Sequence, residues 1–202
     1  MKKILKNLHH LKKYSYIGII NIFINVLYTK INFPQALLAR RPIYFRNLGS
    51  LSVGKGFLIG PCGIIDVLHK DAYVKIGDNV KINHRFHLGA MFHIEIDDNV
   101  LIGSNVTMID HNHGVYSGNE QSSPFEITSD RSLVGGPIII KENVWISENV
   151  VVLPNVTIGK CSIVGAGAIV TTNIPPYTIS AGNPSRVIKR YDFDAQKWKR
   201  AD

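Results

Sequence analysis

Residues 140–170 read IKENVWISENVVVLPNVTIGKCSIVGAGAIV. Aliphatic side chains fall at Ile140, Ile146, Val152, Ile158, Val164 and Val170, one every six residues. A helix repeats its buried face every three to four residues and an ordinary strand every two, so neither explains this period. The β-branched residues and glycines of LPNVTIG and VGAGAIV oppose a helix further. One short flat strand plus one turn per unit does explain it. Three such units close a triangular coil of about 18 residues, which is a parallel β-helix. Each anchor then points inward and stacks on its counterpart one coil away. The residue after each anchor is expected to turn the corner.

The same period runs upstream through Val53, Ile59 and Ile65, then Ile76, Ile82, Leu88 and Ile94, and after a two-residue slip through Ile96, Ile102 and Met108. Small or turn-compatible residues follow many anchors: Gly54, Gly60, Gly77, Asn83, Gly89, Gly103, Ser147, Gly159 and Gly165. Between Ile109 and Pro137 the repeat stops, at DHNHGVYSGNEQSSPFEITSDRSLVGG, and then resumes. A loop expelled from one coil of a solenoid is the usual place for function. Two histidines, His111 and His113, stand at its start.

Charge is unevenly spread. Residues 1–65 contain ten Lys or Arg and no acid, whereas the rest of the chain is close to neutral. A nucleic-acid enzyme would place its basic residues around the site itself, so nucleic acid is not an expected partner. The apolar stretch YIGIINIFINVLYT (16–29) is broken by Asn21 and Asn25 and is shorter than the roughly 20 residues needed to span a bilayer. With MKKILKNLHHLKK before it, it reads as an amphipathic arm, either packed on its own oligomer or lying on an anionic membrane. Cys62 and Cys161 match no zinc or disulfide pattern, which suits a cytoplasmic location, peripheral to the inner membrane face if the arm binds lipid. The expected organisation is a basic helical arm over 1–46, a β-helix over 47–190 with its loop at 110–137, and a C-terminal tail over 191–202.

The stretches VKIGDNVKINHRF, IDDNVLIGSNVTMIDHNHG and IIIKENVWISENVVVLPNVTIGKCSIVGAGAIVTTNIPPYTISAGNPSRVIKR resemble the hexapeptide-repeat acyltransferases, in the branch of the galactoside and maltose O-acetyltransferases. The resemblance covers about residues 51–190. It implies an all-β, left-handed parallel β-helix, a handedness that general crossover rules do not supply. It also implies a homotrimer with active sites between subunits, acetyl-CoA as acyl donor and no metal.

Counted from the shared NVT, the family's general base falls on His113. An imidazole suits removal of a proton from a sugar hydroxyl that attacks the thioester directly. The resemblance places acceptor contacts at Asn83 and Arg85; Asp110 and His111, beside the base, could orient it or bind the acceptor hydroxyl, and His111 could instead contact a neighbouring subunit. Arg85 after His84 departs from the sugar-specific members, so the acceptor stays open. Along the cofactor groove it places Trp145, Ser147 (through its backbone amide, at the oxyanion), Ala166 and Ala168, followed by Thr171 and Thr172. Thr172 stands where relatives commonly carry Lys, and Arg186, Lys189 and Arg190 are the cations left to meet the phosphates.

Other readings stay open. Asp110, His111 and His113 could hold a metal if one of His84, His87 or His93 joined them, as in a lyase of the same fold. Asn83 could be merely a corner residue. The reading reached is an O-acetyltransferase for a saccharide of surface polysaccharide or lipid-linked glycan synthesis. The rival is a transferase for a soluble sugar, nucleotide-sugar amine or drug.

Overall fold

The computed structural model describes residues 15–201. Its body is a triangular prism of parallel strands wound as a β-helix. The first face stacks Leu38–Ala39, Leu58–Ile59, Lys81–Ile82, Leu101–Ile102, Trp145–Ile146, Ile163–Val164 and Thr178–Ala181. The second stacks Ile43–Asn47, Gly63–Val67, His87–Ala90, Thr107–Ile109, Val151–Val152 and Ile169–Val170. The third stacks Ser50–Val53, Tyr73–Ile76, His93–Ile96, Ile138–Ile140 and Thr157–Ile158. The chain visits the faces in that order on every coil.

The anchors stack in register, Ile82 on Ile102 on Ile146 on Val164. A second aliphatic, two residues before the anchor, is also inside: Val80, Val100, Val106, Val144, Val150 and Val156 are all buried. Each six-residue unit therefore inserts two side chains into the core.

The corners correct the expectation about the small residues. Left-handed backbone falls on the asparagine before that second aliphatic, at Asn79, Asn99, Asn105, Asn143, Asn149 and Asn155, with φ between 57° and 62°. Asparagine tolerates this region because its short amide bonds locally. Cys62, Arg85 and Cys161 occupy equivalent turn positions. The glycine after an anchor serves a different end. A Cβ on Gly103 would lie 2.7 Å from the Glu148 amide nitrogen of the next coil. Such a residue lets coils approach; it does not turn the chain.

Helix α1 (Tyr16–Asn32) precedes the prism. The Ser15 side chain caps it by accepting from the Gly18 amide. Its Thr29 hydroxyl, buried against the first coil, accepts from the Ala39 amide at 2.8 Å. Among the described residues no helix is long and apolar enough to cross a membrane.

Both expected boundaries shift. The first coil begins at Leu38, inside the segment assigned to the arm. Residues 191–200 are no loose tail: Arg186–Asp192 pairs antiparallel with Thr178–Ala181 and with Lys197–Arg200. Tyr177, Tyr191, Phe193 and Trp198 pack edge-to-face across this hairpin, with centroids 5.0–5.3 Å apart.

Candidate active site

The expelled loop is a ribbon. His111–His113 pairs antiparallel with Leu133–Gly135, with His113 opposite Leu133. It leaves the prism at the corner between the second and third faces. Its root is tight: the Gly136 amide donates to the Asp110 carbonyl at 2.9 Å, and a Cβ on Gly135 would lie 2.0 Å from that oxygen. Beyond it the loop folds on itself. The Tyr116 hydroxyl donates to the His113 carbonyl, and Arg131 donates to the Tyr116 hydroxyl and the Ser123 and Glu126 carbonyls.

The His113 side chain is exposed, and among the described residues its ring makes no hydrogen bond, so both nitrogens are open to a ligand. His111 is held differently. Its Nδ1 lies 3.1 Å from Oδ1 of Asp110, and its side chain is only 11% exposed. Asp110 itself is wholly buried. Its two carboxylate oxygens accept from the Met91 and Phe92 amides, each at 2.8 Å. A carboxylate so engaged faces the protein, so Asp110 is not placed to touch an acceptor.

Met91 and Phe92 lead into a cleft that the sequence reading missed. His69, Asp71, Tyr73, Met91, Phe92, His93 and Leu133 line an open volume of about 420 Å³. Tyr73 and His93 are register partners on the third face, their rings stacked at 4.8 Å and 7°. The Tyr73 hydroxyl donates to Glu95 at 2.8 Å, and this bond raises the phenol above its ordinary range and keeps it protonated. Leu133 is at once a wall of the cleft and the cross-strand neighbour of His113. The missed signal was the coil register, which the two-residue slip before Ile96 disguised. Drawn correctly, it puts residues 69–73 and 91–93 beneath the loop.

The remaining expected residues fall elsewhere. Asn83 and Arg85 are exposed at the corner between the first and second faces. Ser147 and Ala166 lie at the same corner on later coils, and Trp145, 46% exposed, sits on the first face beside it. Thr171 and Thr172 return to the second–third corner, exposed, below the ribbon. Arg186 and Lys189 are exposed on the antiparallel strand that extends the first face. One chain thus carries two half-sets of candidates on two different corners.

Two cofactor expectations need correction. The Ser147 amide donates to the Val164 carbonyl at 3.0 Å, so the coil ladder consumes the donor assigned to an oxyanion. The amide of Glu148, one residue on, donates to nothing among the described residues. Ala168 is 0% exposed, its methyl inside the prism, because it occupies the second-aliphatic position of its unit. Only Ala166 of that pair faces outward. The histidines considered for a metal also disperse: His84 bonds Ser104, His87 lies 3.9 Å from Asp66, and His93 stacks on Tyr73. Among the described residues no three His, Cys, Asp or Glu side chains gather in a metal-sized group.

A hexapeptide β-helix with a histidine-bearing ribbon over an open cleft defines a class of transferases, and comparison with known proteins agrees. The family model described as bacterial transferase hexapeptide (six repeats) matches residues 137–172. The putative lipopolysaccharide biosynthesis O-acetyl transferase WbbJ of Escherichia coli (strain K12) is 34% identical over 94% of this chain and 97% of its own. The fold superposes on the hexapeptide-repeat acetyltransferase VCA0836 of Vibrio cholerae O1 biovar eltor complexed with acetyl coenzyme A, at 26% identity and TM-score 0.53 over 74% of this chain and 71% of that one. It superposes similarly on a galactoside acetyltransferase in complex with coenzyme A, at 29% identity and TM-score 0.54 over 79% of this chain and 70% of that one. The chain belongs to the hexapeptide-repeat acetyltransferase family.

Proposed function

We propose that this protein moves the acetyl group of acetyl-CoA to a hydroxyl of a saccharide, with His113 as the general base. The observation that carries this reading is the placement of His113: an exposed imidazole on a braced ribbon, directly across from the Leu133 wall of an aromatic cleft. Sugar rings present apolar faces that pack on aromatic rings, and hydroxyls that bond to groups such as Asp71 and His69. His113 takes the proton as the acceptor oxygen attacks the thioester carbonyl. The tetrahedral intermediate then collapses, the carbon–sulfur bond breaks, and the imidazolium returns its proton to the departing thiolate. The free Glu148 amide is the oxyanion donor in place of Ser147.

Asp110 acts as a positioning residue. It ties His111 at the base of the ribbon to the Met91–Phe92 lip of the cleft, so one buried carboxylate sets the height of the base above the acceptor. Trp145 and Ala166 border the pantetheine arm, and Thr171, Thr172, Arg186 and Lys189 are the polar groups available to the nucleotide end. Because Asn83, Arg85 and Trp145 lie a corner away from His113, a complete site takes one half from each of two neighbouring copies. A homotrimer supplies three such sites. The relative named for lipopolysaccharide biosynthesis aligns over nearly its whole length, which favours a surface glycan over a free sugar as acceptor.

The test is thiol release from acetyl-CoA across soluble sugars and a membrane-derived glycan fraction, for wild type and His113→Ala. Acceptor-dependent turnover that His113→Ala lowers by about 10²-fold or more is expected. Turnover untouched by that change overturns the mechanism.

A further inference from the structure

One surface is left unused by acetyl transfer. Helix α1 turns Thr29, which is buried, and the half-buried Ile22, Asn25 and Val26 toward the first coil. The bonds from Ala39 to Thr29 and from the Arg41 amide to Asn25 fix that orientation. The opposite side displays Ile17, Ile20, Ile24, Leu27 and Ile31, spaced three and four residues apart, with Tyr16 and Phe23 along one flank. Ile17 is 72% exposed and Leu27 63%. At 100° per residue these seven side chains form one continuous stripe with no charge in it.

The sequence on either side of the stripe carries one sign of charge. Five lysines precede the helix in sequence, Lys30 lies in its last turn, Arg40 and Arg41 follow, and no carboxylate occurs before Asp66. We infer that α1 docks this protein on an anionic lipid surface, lying in its plane with the isoleucine stripe in the acyl boundary and the cations among the head groups. At 17 residues the helix is too short to span. Self-association of the stripe is disfavoured by the same charges, since joining copies would gather lysines and arginines with no acid nearby to offset them.

The test is co-sedimentation of the full chain with vesicles of phosphatidylcholine containing roughly a third phosphatidylglycerol, or phosphatidylcholine alone. The probe variant carries Ile20→Glu and Leu27→Glu together, and light scattering gives the mass of each assembly. Wild type should bind the anionic vesicles, bind neutral ones weakly, and be released as salt shortens the screening length. The variant should bind at least about tenfold more weakly, with unchanged mass and unchanged turnover on a soluble acceptor. Failure of wild type to bind, equal binding by the variant, or a variant of altered mass would each overturn the inference. The last outcome would assign the stripe to contacts between copies. The vesicle-binding and mass readings do not depend on the acetyl acceptor.

Discussion

At the residue scale, the most informative side chain is one with no exposed atom. Asp110 satisfies two backbone amides of the preceding coil and anchors His111. Replacing it with alanine leaves those amides buried and unpaired, a loss on the order of 3 kcal/mol. Asp110→Ala should therefore lower the thermal midpoint by about 6–12 °C and reduce kcat. A midpoint within error of wild type would show that the carboxylate positions nothing. Gly135→Ala separates geometry from stability, because its Cβ would meet the Asp110 carbonyl at the ribbon root. It should cut turnover at least about tenfold while the prism, assayed by circular dichroism, melts near the wild-type temperature.

At the element scale, the C-terminal hairpin carries a pH dependence of its own. The Asp192 carboxylate is held below its ordinary range, first by the Lys199 ammonium and then by the Ala195 amide. A depressed folded value means the contribution is present above the ordinary carboxyl range and lost as pH falls through the lowered value. Hydrogen exchange should show the Arg186–Asp192 amides losing protection relative to the prism as the solution is acidified through that window. Asp192→Asn should remove the pH dependence; if the wild-type hairpin stays as protected as the prism at acid pH, the ion pair does not hold it. The prism strands are held otherwise. Each is two to five residues long and gains its order from stacking between neighbours, as expected of a solenoid.

At the scale of the whole molecule, the division of candidates between two corners makes a direct prediction. His113→Ala and an Asn83→Ala/Arg85→Ala double variant should each be nearly inactive alone. Unfolded and refolded together in equal amounts, they should recover about a quarter of wild-type activity, since each site draws one half from each of two copies at random. No recovery would mean that each chain holds a complete site.

The six-residue period specified the β-helix because a flat strand and a tight corner repeat only that way, and six anchors from Ile140 to Val170 leave no other reading. The ribbon histidines were legible too, because a polar insertion in a periodic array stands out. What the linear pattern could not convey was which chain atoms were already engaged. Ser147 and Ala168 look like groove residues by position, yet the amide of one is spent in the ladder and the methyl of the other is in the core. Asp110 looks like a ligand and is buried. Tyr73, Met91 and His93 carry no motif, and they meet near His113 only because the coils stack one above another. Local periodicity is written in side-chain character along the chain. Hydrogen-bond commitment and the meeting of residues twenty or more apart are settled only when every coil has found its register.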